Sequence, residues 1–362
     1  MKTINHFKVF IFIIATSIIF FSCSKGGGSK PKTSGPTVST FAGTGSSGAT
    51  NGTGTSASFT FPSSIIVASS SEFYIGDFGN SLIRTLNIST AATATFAGNG
   101  TAGLLNGTLT SAEFNGPANI VLDASGDVFV SDEQNHVIRE ITIAGNVITV
   151  AGTGTAGYQD GVGTAAAFDH PEGIVADASG NLFVADGHNN VVRKIVIATG
   201  AVSTYAGTSV AAFNNGPIAS ATFNDPYGMT IDASGNLYVT DVLNNCIRKI
   251  TVSTGMVTTY AGSGTQGLTN GSAATATFYY PLGCAFDSDG NMYVSDTYNN
   301  VIRKVASNGT VTTFAGSGVS GAADGPAASA TFNFPIGIVV NGNGIYVADT
   351  HNNSIRKITV GQ

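Results

Sequence analysis

Charge is what this sequence has least of. Asp, Glu, Lys and Arg make up 10% of its 362 residues, against about a quarter in an ordinary globular chain. Low charge combined with 42% hydrophobic residues excludes a disordered chain, which needs the opposite balance. Cations are concentrated as well as scarce. Of the 15 Lys and Arg, Lys2 and Lys8 flank the start of the chain, and ten of the others stand in or beside one recurring motif (Arg84, Arg139, Arg193, Lys194, Arg248, Lys249, Arg303, Lys304, Arg356 and Lys357). No basic patch is left for nucleic acid, so no nucleic-acid partner is expected. The three cysteines, Cys23, Cys246 and Cys284, are too few for a disulfide framework. Cys246 and Cys284 take slots filled by Val or Ile in sister units and are expected as buried free thiols. There is no phosphate loop, no His-Glu-x-x-His and no Gly-x-Ser-x-Gly elbow with a supporting triad.

What is abundant is glycine, at 47 residues, nearly twice its usual share. Val, Ile, Thr, Phe and Tyr supply much of the rest, which reads as all-β with many tight turns. The stretch Asp296-Thr-Tyr-Asn-Asn-Val-Ile-Arg-Lys-Val recurs from Asp77, Asp132, Asp186, Asp241 and Asp349. The Asp-to-Asp steps are 55, 54, 55, 55 and 53 residues. Six copies at a near-constant step mean repeated supersecondary units forming one body. In the unit ending near Gly316, residues 283–286, 292–294, 301–305 and 311–315 read as strands, with a turn-favouring Asn308-Gly309 pair before the last. Four antiparallel strands make one propeller blade. The first fourth-strand motif, residues 38–42, precedes any full blade, and the last unit stops after three strands. Residues 38–42 are therefore expected to complete the C-terminal blade, which removes two exposed sheet edges at once. The expected fold is an all-β, six-bladed β-propeller of four-stranded antiparallel blades over residues 37–362.

Residues 1–22 read as an export signal: two lysines, then an apolar run at 9–21 that is short for a bilayer span. Ser22-Cys23 after that run resembles a bacterial lipobox, with Phe20 where Leu is usual. Cys23 is then the expected lipidation site, and the protein is expected to be lipid-anchored in the bacterial envelope, at the outer membrane, with its facing left open. Residues 23–36 carry the anchor and a flexible Gly/Ser/Pro/Lys tether. Loss of Lys2 and Lys8 from a net charge of −6 leaves the mature chain near −8.

The segment Gly290-Asn-Met-Tyr-Val-Ser-Asp-Thr-Tyr-Asn-Asn-Val-Ile-Arg-Lys304 resembles an NHL repeat, as do residues 180–194 and 235–249. The resemblance covers about 38–360. It implies a β-propeller that serves as a binding platform, although some relatives are lyases or lactonases with a metal in the central channel. Fold alone does not choose between these roles.

The repeated Asp and Arg invite a catalytic reading. Six copies argue instead for a structural part needed once per blade. The Asp is expected to cap its own turn in Asx fashion, and the Arg to find a carboxylate or other acceptor. Turns such as 287–291 are too short for a calcium loop and lack its Glu.

Function is sought where the units differ. Residues flanking the repeated proline lead into the innermost strand and should approach the channel mouth. Phe61, His170, Glu172, Asp225, Tyr227, Tyr280 and Phe334 are the candidate ligand-binding residues. A mouth polar on one side and aromatic on the other suits a glycan, a peptide or a protein partner. The alternative is a metal-assisted lyase or lactonase using His170, Glu172 and Asp225. His136, His188 and His351 read as turn residues. No resident metal or cofactor is expected.

Overall fold

The computed structural model describes residues 35–360. The expected export signal, Cys23 and most of the expected tether lie outside the described residues. Among those described, six antiparallel sheets follow one another along the chain. Their innermost strands are Pro62–Ser69, Pro117–Leu122, Pro171–Ala176, Pro226–Ile231, Pro281–Phe286 and Pro335–Asn341. Each inner strand packs on the next, and the last packs on the first, which closes a ring of six blades around a central channel. We number the blades 1 to 6 from Pro62.

Closure uses both chain ends. Strand Thr37–Ala42 pairs antiparallel with the C-terminal strand Ser354–Thr359, with Val38 opposite Ile358. The N-terminal strand thus completes blade 6, as the repeat count requires. Asp324 reinforces the joint, accepting from the Thr40 N–H at 3.0 Å and from Arg356 at 2.7 Å.

The strand count differs from expectation. Each sheet has a fifth, two-residue strand outside the fourth, such as Gly271–Ser272 beside Thr310–Ala315. Its source is the long connection between blades, which doubles back through its Asn-Gly or Asp-Gly step. This short strand covers part of an edge that would otherwise be open.

Six hydrophobic clusters fill the ring, and each draws on two adjacent blades. One joins Val175 and Phe183 of blade 3 to Met229, Val239 and Ile250 of blade 4. Glycine permits this contact near the axis. A Cβ at Gly228 would collide with the Leu282 carbonyl of the next blade, so in blades 3 to 6, whose inner strands open Pro-x-Gly, the glycine sets how closely blades approach.

The repeated Asp and Arg are fully buried in all six blades. They pair at 2.6–2.9 Å. In blade 5, Arg303 donates to Asp296 Oδ2 (2.9 Å), to the Thr277 and Thr269 carbonyls (2.8 and 3.0 Å) and to Asn270 Oδ1 (2.9 Å). Its guanidinium lies 5.1 Å over the Phe278 ring. Arg Nε is the one guanidinium nitrogen left without a partner in every blade. Both residues are structural, as expected. The Asp does not cap its own turn, however. Asp296 Oδ1 accepts the N–H of Tyr279, seventeen residues earlier (2.7 Å), and Oδ2 accepts Asn299 Nδ2 (2.9 Å). An already satisfied turn leaves the carboxylate free to anchor the incoming loop. Burial pushes Asp132, Asp186, Asp241, Asp296 and Asp349 up to about 6, against the pull of these donors and the Arg. Cys246 and Cys284 are buried free thiols.

Removing one partner leaves a buried charge unpaired. Asp241→Ala should cost roughly 3–5 kcal/mol, whereas an apolar pair of similar volume, Asp241→Leu with Arg248→Met, should recover most of that loss. Urea denaturation of the single and double variants measures both; equal losses in the two would contradict this account.

Candidate functional site

All six residues before the repeated proline lie in the left-handed region: Phe61 (φ 50°), Gly116 (66°), His170 (54°), Asp225 (58°), Tyr280 (49°) and Phe334 (61°). A residue before proline is normally driven to extended backbone, and for non-glycine this conformation costs about 1–2 kcal/mol. Neighbouring blades hold it in place. The N–H groups of Phe61, Asp225, Tyr280 and Phe334 donate to Asn353, Asn190, Asn245 and Asn300 at 2.9–3.1 Å. Each Asn caps the short 3₁₀ turn of the preceding blade. Between blades 2 and 3, His136 takes the Asn role, and its Nδ1 accepts the His170 N–H at 3.2 Å. The strained positions therefore stitch the blades together around the mouth.

Three sectors share this rim. The first is aromatic and spans blades 5, 6 and 1. Tyr280 meets Tyr298 at 4.6 Å between ring centroids, Tyr298 meets Phe334 at 4.7 Å, Phe334 stacks on His351 at 4.4 Å, and His351 meets Phe61 at 5.7 Å. Tyr279 joins at 5.0 Å from both Tyr280 and Tyr298. Tyr298 and His351 are exposed, so the ribbon offers ring surface to solvent.

The second sector is imidazole. Asp169 Oδ1 lies 2.8 Å from His170 Nδ1, 3.6 Å from His188 Nδ1 and 3.8 Å from His136 Nδ1. His136, Asp169 and His170 each offer a ligand atom, all within 4.8 Å of one another. Burial, with the nearby His170, holds the His136 ring below its ordinary value.

The third sector is carboxylate. Glu172 is 7% exposed, and its Oε2 has no hydrogen-bond partner. The Tyr227 hydroxyl lies beside this carboxyl group. Gly187 makes room here, since a Cβ at that position would meet Asp225 Oδ1 at 3.2 Å and Glu172 Cγ at 3.3 Å. Burial pushes Glu133 up to about 8, helped by Asp225 and Asp132. Burial, then Glu133 and Asp225, pushes Glu172 well up too. Burial first, and then the neighbouring like charges, favours the neutral forms of these groups. Below lies the channel, lined by Ile65, Ile120, Met229, Leu282 and Ile338 among others, with a cavity of about 190 Å³. That is below the usual 300–1,000 Å³ of a small-molecule pocket, so anything larger must sit at the mouth.

The candidates from sequence divide among the sectors. Phe61, Tyr280 and Phe334 belong to the aromatic ribbon, and Glu172, Asp225 and Tyr227 to the carboxylate group. His170 turns its Nδ1 to Asp169 rather than to Glu172. His136, His188 and His351 are in turns, as expected, but their rings also build the rim. Glu133, Asp169, Tyr279 and Tyr298 were missed. Aligning the turn positions after each repeated Asp exposes Glu133 and Tyr298 as departures. Asp169 and Tyr279 depart in the same way at the position two before the proline.

Fold and rim together define a closed six-bladed β-propeller with a solvent-facing mouth. The chain matches the NHL repeat family over residues 332–358. It is 28% identical over 281 residues to Protein SUPPRESSOR OF QUENCHING 1 of Arabidopsis thaliana, covering 73% of this chain and 27% of that protein. It is 27% identical over 292 residues to NHL repeat-containing protein 2 of Homo sapiens, covering 70% of this chain and 40% of that one. The chain thus spans well under half the length of these relatives. Among solved structures, an auxiliary nutrient binding protein from Bacteroides ovatus superposes with a TM-score of 0.70 at 17% identity, covering 91% of this chain and 77% of the other. That likeness is one of fold.

A carboxyl group with a raised folded value favours the fold at low pH and loses that contribution as pH rises through it. For Glu133 the window runs from its unfolded value near 4.5 to about 8. Glu133→Gln should therefore flatten the fall in melting temperature between pH 6 and 9 and be the more stable form at pH 9. Thermal unfolding across this range checks it; parallel curves for both proteins would refute it.

Proposed function

We propose that this propeller is a non-enzymatic binding module that takes a glycan across the aromatic side of its mouth. The carrying observation is the ribbon of six rings from Tyr279 to Phe61. Sugar faces present apolar C–H surface to flat rings, while their hydroxyl groups seek polar partners at the edge. The carboxylate and imidazole sectors supply such partners across the rim. The narrow channel favours a ligand lying over the mouth rather than inside it. The Bacteroides structure described as an auxiliary nutrient binding protein shares the fold and is consistent with this reading. We further propose that the module works from the bacterial envelope, held by a lipid on Cys23. A peptide or protein segment is the competing ligand, and the same assay separates the two. The lyase or lactonase reading would have His170 act together with Glu172 and Asp225, but the His170 ring is engaged with Asp169 instead.

Screening the protein on glycan and peptide arrays, then titrating the best ligand, tests the proposal. Tyr298→Ala and Phe334→Ala should each weaken binding about tenfold, roughly 1.4 kcal/mol. Ile143→Ser, at a residue 78% exposed on a blade hairpin, should leave it unchanged. Binding that survives both ring variants would rule out the aromatic mouth, and a peptide-only signal would replace the glycan.

A further inference from the structure

We propose that the imidazole sector between blades 2 and 3 is a zinc site built by His136, Asp169 and His170, with His188 as a fourth ligand. The site rests on observations separate from the aromatic ribbon and does not depend on the glycan reading.

The first observation is convergence. The chain has five histidines. Three of them place Nδ1 within 2.8–3.8 Å of a single carboxylate oxygen. Zinc–nitrogen bonds of about 2.0–2.1 Å in a tetrahedron put ligand atoms roughly 3.3 Å apart. The Asp169–histidine separations bracket that value, so small side-chain rotations suffice. Imidazole with one carboxylate suits zinc, whereas magnesium and calcium select oxygen-rich sites.

The second observation is that the scaffold does not need these residues. The same turn and the same left-handed cap are built in the other blades with Asn190, Asn245, Asn300, Asn353 or Ser81 at the His136 position. The His188 position holds Gly79, Gln134, Leu243, Tyr298 or His351 elsewhere, and the Asp169 position holds Thr60, Asn115, Asn224, Tyr279 or Asn333. Only in this one seam do all the variable positions carry ligand chemistry.

The third is preorganisation with access. The Asp169 N–H is tied to Asp186 Oδ1 at 2.8 Å, which fixes the residue to the buried ion pair of blade 3. The His170 ring is flanked by His136 at 4.7 Å and His188 at 4.0 Å. Side-chain exposure runs from 16% at His136 to 49% at His188, so a metal can enter from solvent. His136 Nδ1 accepts the His170 N–H. It therefore carries the lone pair a metal requires, and coordination displaces this contact together with the His170 Nδ1–Asp169 Oδ1 hydrogen bond. Four other seams make the equivalent contact with Asn.

The test uses the chelator-stripped protein and metal salts alone. Titration with zinc chloride, followed by calorimetry and by elemental analysis after dialysis, should give about one zinc per chain. Cobalt(II) in its place should show the intense visible bands of a tetrahedral site. His136→Asn restores the residue used in four other seams. It should keep the metal-free melting temperature while weakening zinc at least tenfold and abolishing the zinc-induced rise in melting temperature. His170→Ala should weaken zinc at least as much, and His188→Ala should alter the cobalt spectrum. Stoichiometry well below one in the parent protein would overturn the site. So would binding that persists unchanged in both His136→Asn and His170→Ala.

Discussion

The structure depends on a buried ion pair made six times. Taking an Asp and an Arg out of water is expensive, and their mutual attraction offsets that only when the remaining donors and acceptors are met. Here they are met by the chain's least regular parts. The guanidinium holds two carbonyls and an Asn or Asp of the long connection. The carboxylate holds the backbone N–H that leads into its own blade's inner strand, and an Asn of the turn. A connection of about twenty residues would otherwise be free to wander. The ion pair fixes both its ends against one point in the blade, and the Phe of the connection covers the guanidinium. The need is local and identical in each blade, which is why the motif recurs with so little change.

Rigid connections make the rim usable. Side chains at the pre-proline and turn positions are held by backbone that the ion pairs have already fixed, so their identity can vary without loss of the ring. The left-handed pre-proline residues extend this logic, because five of the six are tied to the cap of the preceding blade. A Tyr or Phe tolerates such a conformation only when its surroundings over-determine it. The mouth is therefore a set of interchangeable groups on a stiff frame, which is the arrangement expected where binding is carried by loops.

Much of this was legible in the sequence. The spacing of six Asp residues gave the blade number, and the orphan strand at the start gave the closure, because both follow from local pattern and from the cost of an open edge. The fifth strand was not legible: two residues such as Gly271 and Ser272 carry no periodicity, and only their position beside Val311 makes them a strand. The Asp acceptor role was foreseen, but not its donor, because Tyr279 and Asp296 meet only once the inner strand has turned back. The rim shows the same boundary. Phe61, Tyr280 and Phe334 were found from their shared offset to proline. The imidazole sector joins His136 to His170 and His188, thirty-four and fifty-two residues on, through two different turn positions of adjacent blades. No motif of fixed spacing describes that.

The asymmetry of the mouth bears on what it can do. Rings gather on blades 5, 6 and 1, while the titratable groups gather on blades 2, 3 and 4. General acid–base work needs a group poised near the operating pH and within reach of a reacting atom. Glu133 and Glu172 have raised values, yet Glu172 is deeply buried against Tyr227, above a channel too narrow for more than a small molecule. Burial raises both groups, which favours their neutral forms and works against an ionised catalytic carboxylate there. An extended ligand on the rings would bring its polar edge toward them, and toward the imidazoles beyond. Recognition needs only that juxtaposition of a flat apolar surface and a polar edge, both held by the six buried ion pairs beneath.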